Sequence, residues 1–277
     1  KKDLKKSVKE DNGYKLKLAA CSLENLLDEA ARADKEDLAY IKKGALMNLE
    51  AAKCGAKLKK VGFYLEQLVK QKLLTDNIIN STKVLASRAA DARMDGQAIP
   101  VMSSGESGNQ GIVAVLVPYA VGKKMKVKEE IILRSIALSH LLNGYVKAFT
   151  GELAPICGCA IAAGVGASAA IVYQQKGPDI PAITYAVNNI ISDIGGMLCD
   201  GAKDTCALKV GTGALEAYHA TLLAMNDRNL DPQGVVEVPV DLDEVCAVHD
   251  GLGNLSCRDL AGGQDHRALD ARGDRIG

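Results

Sequence analysis

Ala160-Ile161-Ala162-Ala163-Gly164-Val165-Gly166-Ala167-Ser168-Ala169-Ala170-Ile171-Val172-Tyr173 is the stretch on which the fold turns. It is apolar on every side at helical spacing, has no charge between Leu153 and Lys176, and consists largely of Ala and Gly. A helix without a polar face must be surrounded, either by other helices or by lipid. Its length approaches that of a membrane span, but it follows Pro155 and two cysteines, and its small residues suit close helix packing. The expectation is therefore the buried centre of a soluble bundle, not a span.

The flanking sequence supplies the surrounding helices. Trp is absent and Phe occurs twice, while Ala, Gly, Leu, Ile and Val are plentiful, which favours close-packed helices of small side chains. Ser22-Leu23-Glu24-Asn25 reads as a cap for a helix through Leu26, Leu27 and Ala30, and Asp37 to Leu49 continues in register. Val61 to Leu74 repeats apolar residues at helical spacing, and Asn80-Ser81-Thr82 opens a helix carrying Arg88, Asp91 and Arg93. Lys128 to Lys147 reads as one long helix with Ser139 and His140, followed later by helices from Pro181 and over Lys209 to Met225. The predicted fold class is mainly α, a bundle of small-residue-rich helices around one central buried helix. Three regions are expected: a polar segment with the first helix over 1–34, an all-helical domain over 35–233, and an atypical, poorly ordered tail over 234–277. In that tail the basic residues change from mostly Lys to Arg alone (Arg258, Arg267, Arg272, Arg275), so Cys246 and Cys257 are given no role.

The 34 basic and 34 acidic residues balance to a formal net charge of +0, so nothing in the overall charge calls for nucleic acid or an acidic membrane surface. The eight cysteines are unevenly spaced, and no secretion leader accompanies them. That combination points to reduced thiols in a cytoplasm.

Chemistry concentrates in three places. Pro155-Ile156-Cys157-Gly158-Cys159 precedes the apolar helix, and Gly195-Gly196-Met197-Leu198-Cys199-Asp200-Gly201-Ala202-Lys203-Asp204-Thr205-Cys206 follows later. Cysteines beside Gly, Asp and Lys at helix ends sit where a thiolate is stabilised and a soft metal reached. Spacing alone leaves open the alternative of four compact core residues, and it is not that of a tetrahedral zinc site. Met102 to Gly111 holds Ser103, Ser104, Ser107, Asn109 and Gln110 directly before an apolar run, where helix N-terminal amides would face a carboxylate. An ordinary capping turn needs fewer polar residues, and the Gly-Lys-Ser/Thr ending of a phosphate loop is missing. His140 reads either as a satisfied core histidine or as a proton-transfer group, Asp91 and Arg93 either as a pair on a helix end or with Arg93 gripping a carboxylate.

Asp91-Ala92-Arg93-Met94, Met102 to Gly111, Leu138-Ser139-His140, Cys157-Gly158-Cys159 and Gly195 to Lys203 occur in one order. Over about Lys35 to Met225 the chain resembles the L-cysteine desulfidases, which are related to the alpha domain of iron-sulfur L-serine dehydratases. The resemblance implies a PLP-independent lyase with a 4Fe-4S cluster that eliminates hydrogen sulfide from L-cysteine, leaving pyruvate and ammonia; L-serine dehydration and a non-catalytic helical subunit are the alternatives. It implies His140 and Ser104 as catalytic, Ser103, Ser107, Asn109, Gln110 and Arg93 as substrate-binding, and Cys157, Cys199 and Cys206 as cluster ligands, with Cys159 the rival of Cys157. Its partners would be a small amino acid, L-cysteine or L-serine, and a separate N-terminal α/β domain or subunit carrying a further cysteine in a Gly-Cys-Thr-Glu-Pro motif. Nucleic acid and membrane are not expected, and a homodimer is compatible.

Overall fold

The structure, a computed structural model, describes residues 13–151 and 154–226. The expected tail over 234–277, with Cys246 and Cys257, lies outside the described residues. A helical stretch over 13–19 is followed by α1 (Leu23–Arg32), α2 (Lys35–Gly55), α3 (Val61–Lys70), α4 (Ile78–Met94), α5 (Gly108–Lys124), α6 (Glu129–Thr150), α7 (Ile161–Lys176), α8 (Ile180–Ile194) and α9 (Cys206–Met225). The protein is mainly α, and the described residues form no strand beyond two isolated bridges, Ser104 with Ser107 and Ile156 with Leu198.

α7 is the apolar stretch, and its residues from Ile161 through Val172 are all buried. It packs against α5, α6, α8 and α9. Fully burying side chains such as Ile161, Val165, Ile171 and Val172 contributes roughly 1.5–3 kcal/mol each. Close approach needs the glycines: a Cβ at Gly166 would stand 2.4 Å from the Ser139 carbonyl oxygen, so any side chain there would push α6 away. Among the described residues no helix is long and apolar enough to cross a membrane.

Local chemistry sets the helix ends. Ser22 and Asn25 form a reciprocal capping box on α1, as do Asp34 and Asp37 on α2. α4 begins at Ile78 with Asn77 as its cap, earlier than the expected Asn80, because the Asn77 side chain accepts the Asn80 N–H. α3 starts at Lys60 without a cap of its own, and the buried Asp91 of α4 takes that place by accepting the Gly62 N–H at 2.7 Å. Desolvation raises the Asp91 carboxyl above its usual range, while the hydrogen bonds from Gly62 and Val61 oppose the rise. Asp91 thus ties two helices together and does not pair with Arg93.

Asn48, fully buried in α2, sets the segment that leads into α5. Its Nδ2 donates to the Gly111 carbonyl at 3.1 Å and its Oδ1 accepts the Met102 N–H at 2.8 Å. Truncation would leave a buried donor and a buried acceptor unpaired. Asn48→Ala is expected to cost about 2–4 kcal/mol, read as a lower urea midpoint at unchanged slope; an unchanged midpoint would show that the residue does not hold this segment.

Candidate active site

The serine-rich segment folds as a tight hairpin. Ser104 and Ser107 exchange backbone hydrogen bonds of 3.2 and 3.0 Å across Gly105 and Glu106. Both central residues have positive φ, 50° and 64°, which suits a two-residue hairpin turn and explains Gly at the first position. Glu106 tolerates its strain because its carboxylate is held by Lys15 at 2.7 Å and by the Tyr14 hydroxyl at 3.2 Å. The turn leads straight into α5, whose cap residue Ser107 makes no side-chain capping bond. The first amides of α5 therefore keep donors to offer, at the positive end of the helix dipole.

Ser104, buried, points at α6. Its Oγ accepts from Asn143 Nδ2 at 2.9 Å and lies 2.9 Å from His140 Nδ1. Asn143 only donates through Nδ2, which leaves the Ser104 hydroxyl proton for Nδ1 of a neutral imidazole and places the ring proton on Nε2. Burial pushes the His140 pKa down from 6.5 to about 4, so the ring is neutral around pH 7. A cleft of about 430 Å³ among α1, α2 and α6 is lined by Tyr40, Ile41, Met102, Ser103, His140 and Leu141, so the histidine is reached from outside.

Behind the hairpin, polar groups outnumber their partners. The Gln110 Oε1 and Asn143 Oδ1 atoms are buried and make no hydrogen bond among the described residues. A Cβ at Gly105 would stand 2.7 Å from Gln110 Oε1, 2.8 Å from Asn143 Nδ2 and 2.8 Å from Lys147 Cγ, so these three side chains share one small space. Gln110 also reaches the cysteine loop, since a Cβ at Gly158 would be 2.8 Å from its Nε2. Bare acceptor oxygens of this kind suit an ammonium group. Asn109 turns elsewhere, donating to Met94 Sδ at 3.6 Å. Arg93 lies against Gly108, the first residue of α5, with its Nε 2.4 Å from where a Cβ would be. Its guanidinium forms no ion pair among the described residues, and it stands beside the end of α5 that attracts anions.

The cysteine segments meet through the Ile156–Leu198 bridge: Cys157 N–H donates to the Met197 carbonyl and Cys199 N–H to the Pro155 carbonyl, both at 2.7 Å. Cys157 and Cys199 are thereby held on one clip. Cys157 is buried, Cys159 and Cys206 are half-buried and Cys199 is exposed; all six described cysteines are free thiols. A hydrogen bond from Cys159 holds the Cys157 thiol well below its usual value of 9.0, with Lys209 assisting, and the same contact pushes Cys159 up. Cys159 also meets the Ser107 side chain. Cys206 opens α9 and exchanges weak sulfur contacts with the Lys203 N–H and the Gly201 carbonyl. Among the described residues no group of three or more His, Cys, Asp or Glu side chains is arranged to hold a metal ion.

Two residues of this constellation escaped the sequence reading. Asn143 and Lys147 follow His140 on one face of α6, at three and seven residues, and that helical spacing is the signal that could have found them. Lys147 is buried to 4 % exposure. Burial lowers its pKa, which the Glu106 carboxylate opposes, and its Cγ lies 2.8 Å from where a Cβ of Gly105 would be, against the serine hairpin. Ser103 is exposed on the cleft side. The structure thus joins Ser104 to His140 and Asn143, brings Gln110 between Gly105 and the cysteine loop at Gly158, and sets Ser103, Asn109 and Arg93 around their margin.

By its sequence this helical bundle falls in a class related to dehydratases. Residues 6–261 match the family described as the serine dehydratase alpha chain, and the chain belongs to that family. It is 62% identical to a UPF0597 protein of Elusimicrobium minutum over 223 residues, 80% of this chain and 52% of the relative. It is 53% identical to a UPF0597 protein of Geobacter sulfurreducens over 227 residues, 82% and 53% of the two chains. A UPF0597 protein of Clostridium tetani is 41% identical over 206 residues, 74% and 48%. The chain spans about half the length of the curated relatives it matches. No solved structure matches it.

The neutral imidazole carries a stability prediction. The unfolded chain protonates its histidine near pH 6.5 and the folded protein only near 4, so the contribution of His140 is complete above about pH 6.5 and is lost as pH falls toward 4. At about 1.4 kcal/mol per pKa unit, lowering pH from 7 to 4.5 should cost the parent of order 2 kcal/mol more than His140→Gln, measured by urea unfolding at both pH values. Equal losses would place the ring in a solvated site.

Proposed function

We propose that this chain forms the helical, substrate-binding and cluster-holding part of a PLP-independent iron-sulfur lyase that converts L-cysteine and water to hydrogen sulfide, pyruvate and ammonia. The observation that supports it is the Ile156–Leu198 pairing, which brings two cysteine segments distant in sequence together on the side where Lys147 of α6 meets the serine hairpin. The thiols fit an iron-sulfur group in donor type, being soft sulfurs flanked by the cations Lys147 and Lys209. They make up only part of a ligand set within this chain, in keeping with relatives of about twice its length. Cys199, Cys206 and one of the Cys157–Cys159 pair would hold the cluster; Cys157, on the same backbone clip as Cys199 and with its thiol held low, is the better placed of the two. When bound, such a cluster supplies a Lewis acid for the departing sulfur.

The remaining work belongs to side chains of this chain. Gln110 and Asn143 offer bare oxygens to the substrate ammonium, and the α5 amides with Ser107 and Arg93 face its carboxylate. His140 is neutral at pH 7 and acts as the base through Ser104, whose hydroxyl takes the α proton as its own proton passes to Nδ1, while Asn143 holds the Ser104 oxygen in place. The buried ammonium of Lys147 offsets negative charge gathered on the thiolates. L-Serine differs from L-cysteine only in its leaving atom and is the second candidate substrate for the same site.

Full-length protein reconstituted anaerobically with iron and sulfide should gain a broad visible absorbance and release sulfide and pyruvate from L-cysteine faster than pyruvate from L-serine. Cys199→Ala should lose the absorbance, and Cys157→Ser should lose more of it than Cys159→Ser. His140→Ala should keep the absorbance and lose roughly 10²–10⁴-fold in rate, the usual contribution of a general base. Matching spectra for parent and Cys199→Ala would refute the cluster reading.

A further inference from the structure

The segment between α8 and α9 carries Cys199 and Cys206, yet it contains neither helix nor strand beyond the single Ile156–Leu198 pairing. Something else must hold it, because a metal ligand on a loose loop loses affinity to the disorder of its backbone. Lys209, one turn into α9, reaches back over this segment. Its Nζ donates to the Leu198 carbonyl at 2.7 Å and ion-pairs with the Asp200 carboxylate, so a single ammonium grips the residues on both sides of Cys199. Lys203 closes on the same Asp200 from the other direction at 2.5 Å. Farther along, Lys60 binds Asp204 at 2.9 Å and Asp95 at 2.8 Å, fastening the approach to Cys206 to the end of α4.

Lys209 differs from its neighbours in three respects. Its side chain is 21% exposed, against 49% for Lys203, so solvent screens it less. It bonds a backbone carbonyl as well as a carboxylate, which fixes the main chain and not only another flexible side chain. It also bonds the clip itself, because the Leu198 carbonyl it holds belongs to the residue paired with Ile156, next to Cys157.

Resting on the cluster reading above, we propose that Lys209 is a positioning residue for the cluster: it clamps Leu198 and Asp200 so that the Cys199 thiolate is presented at a fixed place, and it supplies a cation beside the thiolates. The clamp comes from α9, the helix that Cys206 opens, so it locks the two cysteines of this segment to one another.

The test uses the full-length protein with Lys209→Met, Lys209→Arg and Lys203→Met, reading iron affinity on anaerobic reconstitution and amide hydrogen exchange over 195–205. Lys209→Met should weaken iron binding roughly 10- to 100-fold, as loss of an outer-shell partner does, and should speed exchange in this segment while leaving α7 protected. Lys209→Arg should restore most of both, since Arg keeps the cation and can still donate to a carbonyl and a carboxylate. Lys203→Met should leave iron affinity within about threefold of the parent, as expected for an exposed ion pair. Unchanged iron binding and exchange in Lys209→Met, or an equal loss in Lys203→Met, overturns the clamp. A parent that binds no iron while Lys209→Met still loosens 195–205 refutes the cluster reading and the positioning role with it, and marks Lys209 as a purely structural tie.

Discussion

The contact between α6 and α7 sets the distance at which the polar groups of α6 are presented. Where the backbone of Gly166 lies against the Ser139 carbonyl, two helices approach more closely than any side chain would allow. Ser139 is one residue before His140, so this contact also fixes the rotation of α6 that turns His140 and Asn143 toward the serine hairpin. A bundle interior packs like a solid and transmits such constraints without slack. Apolar burial along α7 supplies the stability that lets uncompensated polar groups persist at its edge.

Several polar groups are buried there. Gln110 and Asn143 leave acceptor oxygens without a partner among the described residues, the Asp91 carboxylate is buried in capping another helix, and the Lys147 side chain is buried against the serine hairpin. Burying such groups costs free energy. Asp91 has a structural return, since it caps α3. Functional sites are where proteins keep such imbalances.

The chain belongs to the serine dehydratase alpha chain family and spans about half the length of the UPF0597 proteins it matches. Among the described residues its cysteines form no three-ligand group. The clip between Ile156 and Leu198 and the lysines around 195–205 hold the two cysteine segments in place.

Periodicity in the chain alone determined that α7 would be buried on all sides, because fourteen residues from Ala160 to Tyr173 without a charge leave no face for water. The cap at Ser22 was legible because it depends on neighbours a few residues apart. The helix after the serine-rich segment was legible too, but it opens at Gly108 and takes in Asn109 and Gln110, ahead of the apolar run from Ile112 where it was expected. The motif cysteines and serines could be named from order and type. Only the tertiary structure decided how they meet. That Asp91 caps α3, that Asn143 orients Ser104, that Lys147 lies against the serine hairpin, and that Lys209 spans Cys199 are all contacts between residues far apart in sequence or on different elements. Their energies depend on distance and on exclusion of water, and neither exists until the helices have packed.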